Sequence, residues 1–310
     1  MREAYLSMRG IRGHGIVGAG AIVAALAWAG PAQAGCAMPA KDGPIVSIGG
    51  DVTEIVYALG EGSRVIAVDI TSRHPAEARA LPQVGYMRAL SAEPILGLAP
   101  AVILAIADSG PPEVLDQLRA AGACLVMVPD THSPQGVIDK VAAVAEAIGR
   151  KGEGDALVAR LTADFATLQA TIDGLPARPR VLFLFSVGEG APMVGGRNSS
   201  ADAIIQLAGG RNAMDGFDHF KPVSSEAVIA ARPDVLLVTD LTLEKLGGID
   251  GLVQRPDIAQ TPAGQARRVL AMDSLLLLGF GPRTPLAIHD LALALHPGAS
   301  IPAPAGLAAP

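Results

Sequence analysis

Ser91-Ala92-Glu93-Pro94-Ile95-Leu96-Gly97-Leu98-Ala99-Pro100-Ala101-Val102-Ile103-Leu104 aligns without a gap on Ser224-Ser225-Glu226-Ala227-Val228-Ile229-Ala230-Ala231-Arg232-Pro233-Asp234-Val235-Leu236-Leu237. Each copy reads as a serine N-cap, a glutamate in the first helical turn, a short helix, a proline stop and a buried strand. An internal repeat of this kind predicts two similar lobes. Capping chemistry and strand burial alone would also generate the pattern, so the rest of the chain has to support it.

Outward from the repeat, short apolar runs alternate with helical patterns, which is the signature of strand-helix-strand units and mostly parallel sheets. Residues 45–48, 65–68, 102–106 and 125–128 read as strands of a first lobe, and 181–185, 235–238 and 269–272 as strands of a second. Gly49-Gly50 turn the first strand into a helix that Asp51 and Glu54 open in the manner of a capping box. From 134 to 172 the chain is rich in Ala, Leu and charge at helical spacing, interrupted only around 149–154, and reads as a shorter helix followed by a long connector. The expected fold is α/β: two mostly parallel-sheet lobes joined by a long connector helix. Its boundaries are an export signal over 1–34, a lobe over 44–150, the connector over 151–176, a second lobe over 177–296, and a tail over 297–310 that lacks periodicity and reads as disordered.

The export reading comes from Arg2, Arg9 and Arg12 ahead of an apolar run over 16–29 that ends at Ala32-Gln33-Ala34. The run is too short and too glycine-flanked for a confident bilayer span. Only Cys36 and Cys124 occur, and in an oxidising compartment they could pair; Cys124 also opens an apolar run and could be a buried thiol. Lipidation of Cys36 is disfavoured, because Gln33 stands where a lipobox wants an aliphatic residue. The balance of 30 Asp+Glu against 24 Lys+Arg, without a basic block, argues against nucleic acid. With 50% hydrophobic but 3% aromatic residues, the core is aliphatic and an aromatic cage is not expected.

Val84-Gly85-Tyr86-Met87-Arg88 places a phenol and a guanidinium two residues apart. Tyrosine ligates ferric haem iron as the phenolate, and a neighbouring cation favours that form over the ordinary pKa near 10. An ordinary loop tyrosine is the bland reading of the same residues. Extending the repeat backwards sets His219 against Tyr86 and Lys221 against Arg88. These are either a second pair of binding groups or a solvated loop around Asp218. Tyr57 falls inside the first helix pattern and reads as core, His74 as structural, and His132 and His289 as surface groups.

Taken together, Ser47-Ile48-Gly49-Gly50-Asp51-Val52-Thr53-Glu54-Ile55, Gly85-Tyr86-Met87-Arg88, Gln260-Thr261-Pro262-Ala263-Gly264 and Leu278-Gly279-Phe280-Gly281-Pro282-Arg283-Thr284-Pro285 resemble the periplasmic haem-binding proteins of bacterial ABC haem importers, within the cobalamin and siderophore binding-protein superfamily. The resemblance implies a helical-backbone periplasmic binding protein that acts as a monomer. It would hold haem b as its transported ligand between the lobes and deliver it to an inner-membrane permease with its ATPase. Tyr86 would be the axial iron ligand and Arg88 its partner. His219 and Lys221 would border the haem, and Arg283 would meet a propionate or form a structural salt bridge. Glu93 and Glu226 would dock onto the permease. Where some family members carry a histidine for a second stacked haem, Val187 stands here, which puts a two-haem stack in doubt. A siderophore or corrinoid on the same fold is the alternative. An enzyme finds little support, since the chain carries no nucleophile elbow, zinc motif or phosphate loop.

Overall fold

The computed structural model describes residues 40–187 and 190–305; the expected export signal and Cys36 lie outside them. The first lobe runs β1 (Ile45–Ile48), α1 (Gly50–Ala58), β2 (Val65–Val68), β3 (Gly85–Tyr86), β4 (Ala89–Leu90), α2 (Ala92–Gly97), β5 (Val102–Ile106), α3 (Pro112–Ala120), β6 (Leu125–Val128) and α4 (Pro134–Ala147). The connector is α5 (Lys151–Asp173). The second lobe begins with β7 (Arg180–Ser186), β8 (Met193–Gly195), α6 (Ser200–Leu207), β9 (Arg211–Asn212), β10 (Phe220–Pro222), α7 (Ser225–Ala231) and β11 (Val235–Thr239). It continues with α8 (Asp240–Lys245), α9 (Gly248–Val253), α10 (Pro256–Ala259), α11 (Pro262–Gln265), β12 (Val269–Met272), α12 (Ser274–Leu278) and α13 (Thr284–Leu295).

The first sheet is parallel in the order β2-β1-β5-β6, while the second, β10-β8-β7-β11-β12, is parallel in β7, β11 and β12 and antiparallel at β8 and β10. The central strands of both sheets are buried on two faces, which is why they read as mostly apolar runs. Along β5, Val102, Leu104 and Ile106 join one core and Ile103 and Ala105 another; along β11, Val235 and Leu237 join the first of these and Leu236 and Val238 a third. The first core is thus continuous through both lobes and the helices between them.

The repeat holds in backbone detail. Ala99 (φ 48°) and Arg232 (φ 45°), equivalent in the alignment, both enter the left-handed region just before a proline. The caps differ: Ser224 Oγ accepts the Ala227 N–H at 3.3 Å, whereas Ser91 makes no side-chain cap bond. Between α4 and α5 the chain breaks at Gly149 (φ 73°), while Gly154 lies inside α5. A Cβ on Gly154 would stand 2.3 Å from the Ala145 Cβ, so only glycine lets the two helices cross this closely.

Several expectations are corrected. Asp51 and Glu54 do not form a capping box: Gly49 is the N-cap of α1 without a side-chain bond, and both carboxylates are buried in ion pairs. Residues 275–278, which read as strand-like, belong to helix α12, whose start is capped by Asp273 Oδ1 on the Leu276 N–H at 2.9 Å. The tail is packed as far as residue 305: Ile301 is buried in the continuous core, and the Ala305 N–H donates to Asp164 Oδ1 at 2.8 Å. His132 and His289 are only partly at the surface, with side chains 33% and 14% exposed. Cys124 is disulfide-bonded and not a free thiol. Among the described residues, no helix is long and apolar enough to cross a membrane.

Candidate functional site

The hairpin β3–β4 is held rigidly just past the carboxyl ends of the first sheet. Ile70 N–H donates to Gly85 O (2.9 Å), Leu90 N–H to Gly110 O (3.0 Å) and Gly110 N–H to Met87 O (2.9 Å), tying it to the loops after β2 and β5. Gly85 sits at φ 105°, a conformation a side chain resists. Met87 packs into the core, and its neighbours Tyr86 and Arg88 are left outside. Arg88 Nη1 donates to Tyr86 Oη and Nη2 to Asp108 Oδ2, both at 2.8 Å. Partial burial pulls the guanidinium pKa down, but the Asp108 carboxylate and the Tyr86 phenol outweigh it and hold it above its usual value. This arrangement presents an oxygen donor, 37% exposed at Tyr86, beside a fixed positive charge.

In the second lobe His219 is exposed, with its backbone at φ 62°. Its N–H donates to Arg197 O (2.7 Å) and its carbonyl accepts from Gly196 N–H (2.8 Å), so the residue is pinned although its ring is free of the sheet. Lys221 is also exposed, and its Nζ lies 5.6 Å from the Phe217 ring centroid, a cation–π distance. Beside them Phe185, Phe220 and Phe183 form an aromatic cluster, with Phe185 and Phe220 centroids 5.3 Å apart. The low aromatic content argued against such a feature; composition counts residues but does not locate them.

Exposed apolar side chains mark the same edges. Ile70 (48%), Phe185 (46%) and Leu241 (38%) lie at or just past the carboxyl ends of β2, β7 and β11. Open α/β sheets bind ligands outside the carboxyl ends of their strands. Asp108, which extends β5 in the first lobe, aligns with Leu241 in the repeat.

The lobes meet through buried charge. Lys140, fully buried on α4, pairs with Asp51 of α1 and with Asp130 after β6, and donates to Gly279 O of the second lobe at 3.3 Å. Burial disfavours the ammonium, but the two carboxylates more than compensate and raise its pKa. Of the two roles open to Arg283, the salt bridge is the one formed: its guanidinium pairs with Glu54. Burial, opposed only by that one cation, pushes the Glu54 carboxyl up to about 7. The His132 ring lies 5.1 Å from that of Phe280, which the second lobe contributes at φ 51°.

Glu93 and Glu226 are exposed in the first turns of α2 and α7, one in each lobe. A backbone N–H at the α7 start and the Ser224 hydroxyl hold the Glu226 carboxyl below its usual value. Sequence reasoning singled out Tyr86, Arg88, His219, Lys221 and Arg283 but missed Asp108, Phe185 and Leu241. The repeat alignment, carried forward to Leu241, was the signal that could have found two of them.

The periplasmic binding protein family matches residues 45–276. The periplasmic heme-binding protein RhuT of Roseiflexus sp. RS-1, solved in its apo form, is 44% identical and superposes with a TM-score of 0.79, covering 84% of this chain and all of its own. The periplasmic heme-binding protein BhuT, solved with two hemes, is 40% identical with a TM-score of 0.77, covering 82% of this chain and 99% of its own. A vitamin B12-binding protein of Vibrio campbellii is 27% identical over 198 residues, 63% of this chain and 70% of its own.

Proposed function

The chain belongs to the periplasmic binding protein family, whose members carry substrates without transforming them, and we propose that this one captures haem and hands it to an ABC permease for import. The observation that carries the reading is the Arg88 guanidinium placed between Tyr86 Oη and Asp108. A phenol so held is suited to ferric iron, because it presents a fixed oxygen ligand to the metal beside a cation. Similarity to heme-binding RhuT and BhuT, at 44% and 40% identity, supports the ligand class.

In this reading Tyr86 is the axial ligand. His219 and Lys221 border the haem from the second lobe, and Lys221 meets a propionate. Val187 packs on the second lobe's core and offers no ligand, which favours one haem b per chain. Capture takes place in the periplasm after removal of the export signal, by a monomer. Glu93 and Glu226, one per lobe, dock onto the permease that works with its ATPase. The corrinoid reading rests on the vitamin B12-binding relatives at lower identity, and a corrinoid has no need of a phenolate beside a guanidinium.

An absorption titration with hemin, with cyanocobalamin alongside, tests this. Tyr86→Ala should lose the native spectrum and weaken hemin by more than about 100-fold, beyond what loss of an outer-shell partner costs. His219→Ala should leave the spectrum in place. Unchanged hemin binding in Tyr86→Ala, or tight cyanocobalamin binding without hemin binding, would refute the assignment. Charge reversal at Glu93 and Glu226 should impair uptake while hemin affinity holds.

A further inference from the structure

We propose that Phe185, seated on Phe220, stacks on the tetrapyrrole macrocycle itself, so that this protein holds iron-free porphyrin as well as haem; the inference rests on the haem reading above. Among the chain's six phenylalanines, all described, Phe185 alone is exposed, at 46%. It is nevertheless fixed. The β7–β8 register shifts between Leu184 and Ser186, a bulge that re-aims the intervening residue. The Phe185 carbonyl accepts the Thr242 Oγ1 proton at 2.9 Å, and its ring rests against Phe220 and Phe183. A large apolar ring held open to solvent in a set orientation is a prepared contact face.

The other lobe shows that the ring is an addition to the repeat. Strand registers set Ile45 beside Val102 and Val181 beside Val235, so the first-lobe position equivalent to Phe185 is Gly49. Gly49 sits at φ 109°, and a Cβ there would press on Ile106 at 3.0 Å. The first lobe is therefore bare where the second carries a phenylalanine. Leu241 stands where the first lobe has Asp108, so the charge that anchors Arg88 has no counterpart. Lys221, one residue beyond Phe220, supplies a cation at the edge of this wall. An apolar plane with a cation at its rim matches a flat macrocycle with carboxylates on its edge, and it asks nothing of the metal.

Titration of the purified protein with hemin and with protoporphyrin IX, followed by absorption and by porphyrin fluorescence, decides the matter. Wild type should bind both. Phe185→Ala should weaken both by about tenfold, the measure of one lost aromatic contact. Phe185→Leu, which keeps apolar area and serves if the alanine variant fails to fold, should weaken both by about threefold. Tyr86→Ala should weaken hemin alone and leave protoporphyrin IX within about twofold, because that ligand has no iron to coordinate. Hemin binding without protoporphyrin IX binding in wild type overturns the proposal and leaves the haem reading standing, as does unchanged affinity in Phe185→Leu. Failure of wild type to bind hemin overturns both.

Discussion

The two lobes share a backbone and differ in chemistry. In the first, the residue pair at the strand-to-helix turn is Tyr86 and Arg88, locked together by Asp108. In the second, the equivalent pair is His219 and Lys221, the lysine lies over the Phe217 ring, and a leucine stands at the position of the carboxylate. The first hairpin pairs with itself, β3 on β4, while β10 is drawn into the main sheet by β8. A duplicated framework thus carries an anchored phenol and guanidinium in one lobe and an exposed phenylalanine beside a histidine and a lysine in the other. The repeat sets matching positions in the two lobes, and the residues that break it give those positions different chemistry.

The largest expected effect lies where the lobes join. Lys140→Met leaves Asp51 and Asp130 buried without a cation and should cost about 3–5 kcal/mol of unfolding free energy in denaturant titration. A loss under about 1 kcal/mol would mean that the lobes do not depend on this junction.

Next comes the pH response of Glu54. Its folded pKa of about 7 lies above the ordinary 4.5, so its contribution favours folding in full below pH 4.5 and is lost as pH rises through 7. Glu54→Gln mimics the protonated form. Its stability relative to wild type should therefore climb by roughly 3 kcal/mol between pH 4.5 and 8. A difference that stays flat with pH would show that Arg283 keeps the carboxylate ionised throughout.

Asp108→Asn probes the anchored pair directly. Freed from its anchor, Arg88 should hold Tyr86 less well, and hemin affinity should fall about tenfold, as for a partner that orients a metal ligand. Leu241→Asn at the equivalent position should cost less, about threefold, the measure of one lost apolar contact; equal losses at both sites would erase the distinction between the lobes.

The smallest effect concerns the caps. Ser224→Ala should cost about 1 kcal/mol in thermal or denaturant unfolding, and Ser91→Ala a few tenths at most, because only the first removes a cap bond. Matching losses would mean that Ser91 caps α2 in solution.

The strands were legible because burial on both faces leaves a mostly apolar run, and residues 45–48, 65–68, 102–106, 125–128 and 269–272 are strands at those bounds. The misreading of 275–278 has the same root. A short leucine run carries no period that separates strand from helix, and only Asp273, read as a cap, would have decided it. Tyr86 and Arg88 were legible because they lie two residues apart. Asp108 and Phe185 were not, since their significance lies in contacts across 20 and 35 residues. Asp51 and Glu54 read as a capping box; spacing along one helix does not reveal that Lys140 and Arg283, from other elements, pair with them.

The absent side chain at Gly154 has a mechanical consequence. With α4 and α5 in contact through a hydrogen where even a methyl would collide, the two helices cannot slide past one another without first separating. α4 carries the Lys140 ammonium to the junction, and α5 spans the lobes. A pull on either lobe is therefore transmitted as a torque about one stiff bracket instead of being absorbed by a hinge. The protein would yield its cargo by having its walls prised apart, and not by relaxing of its own accord.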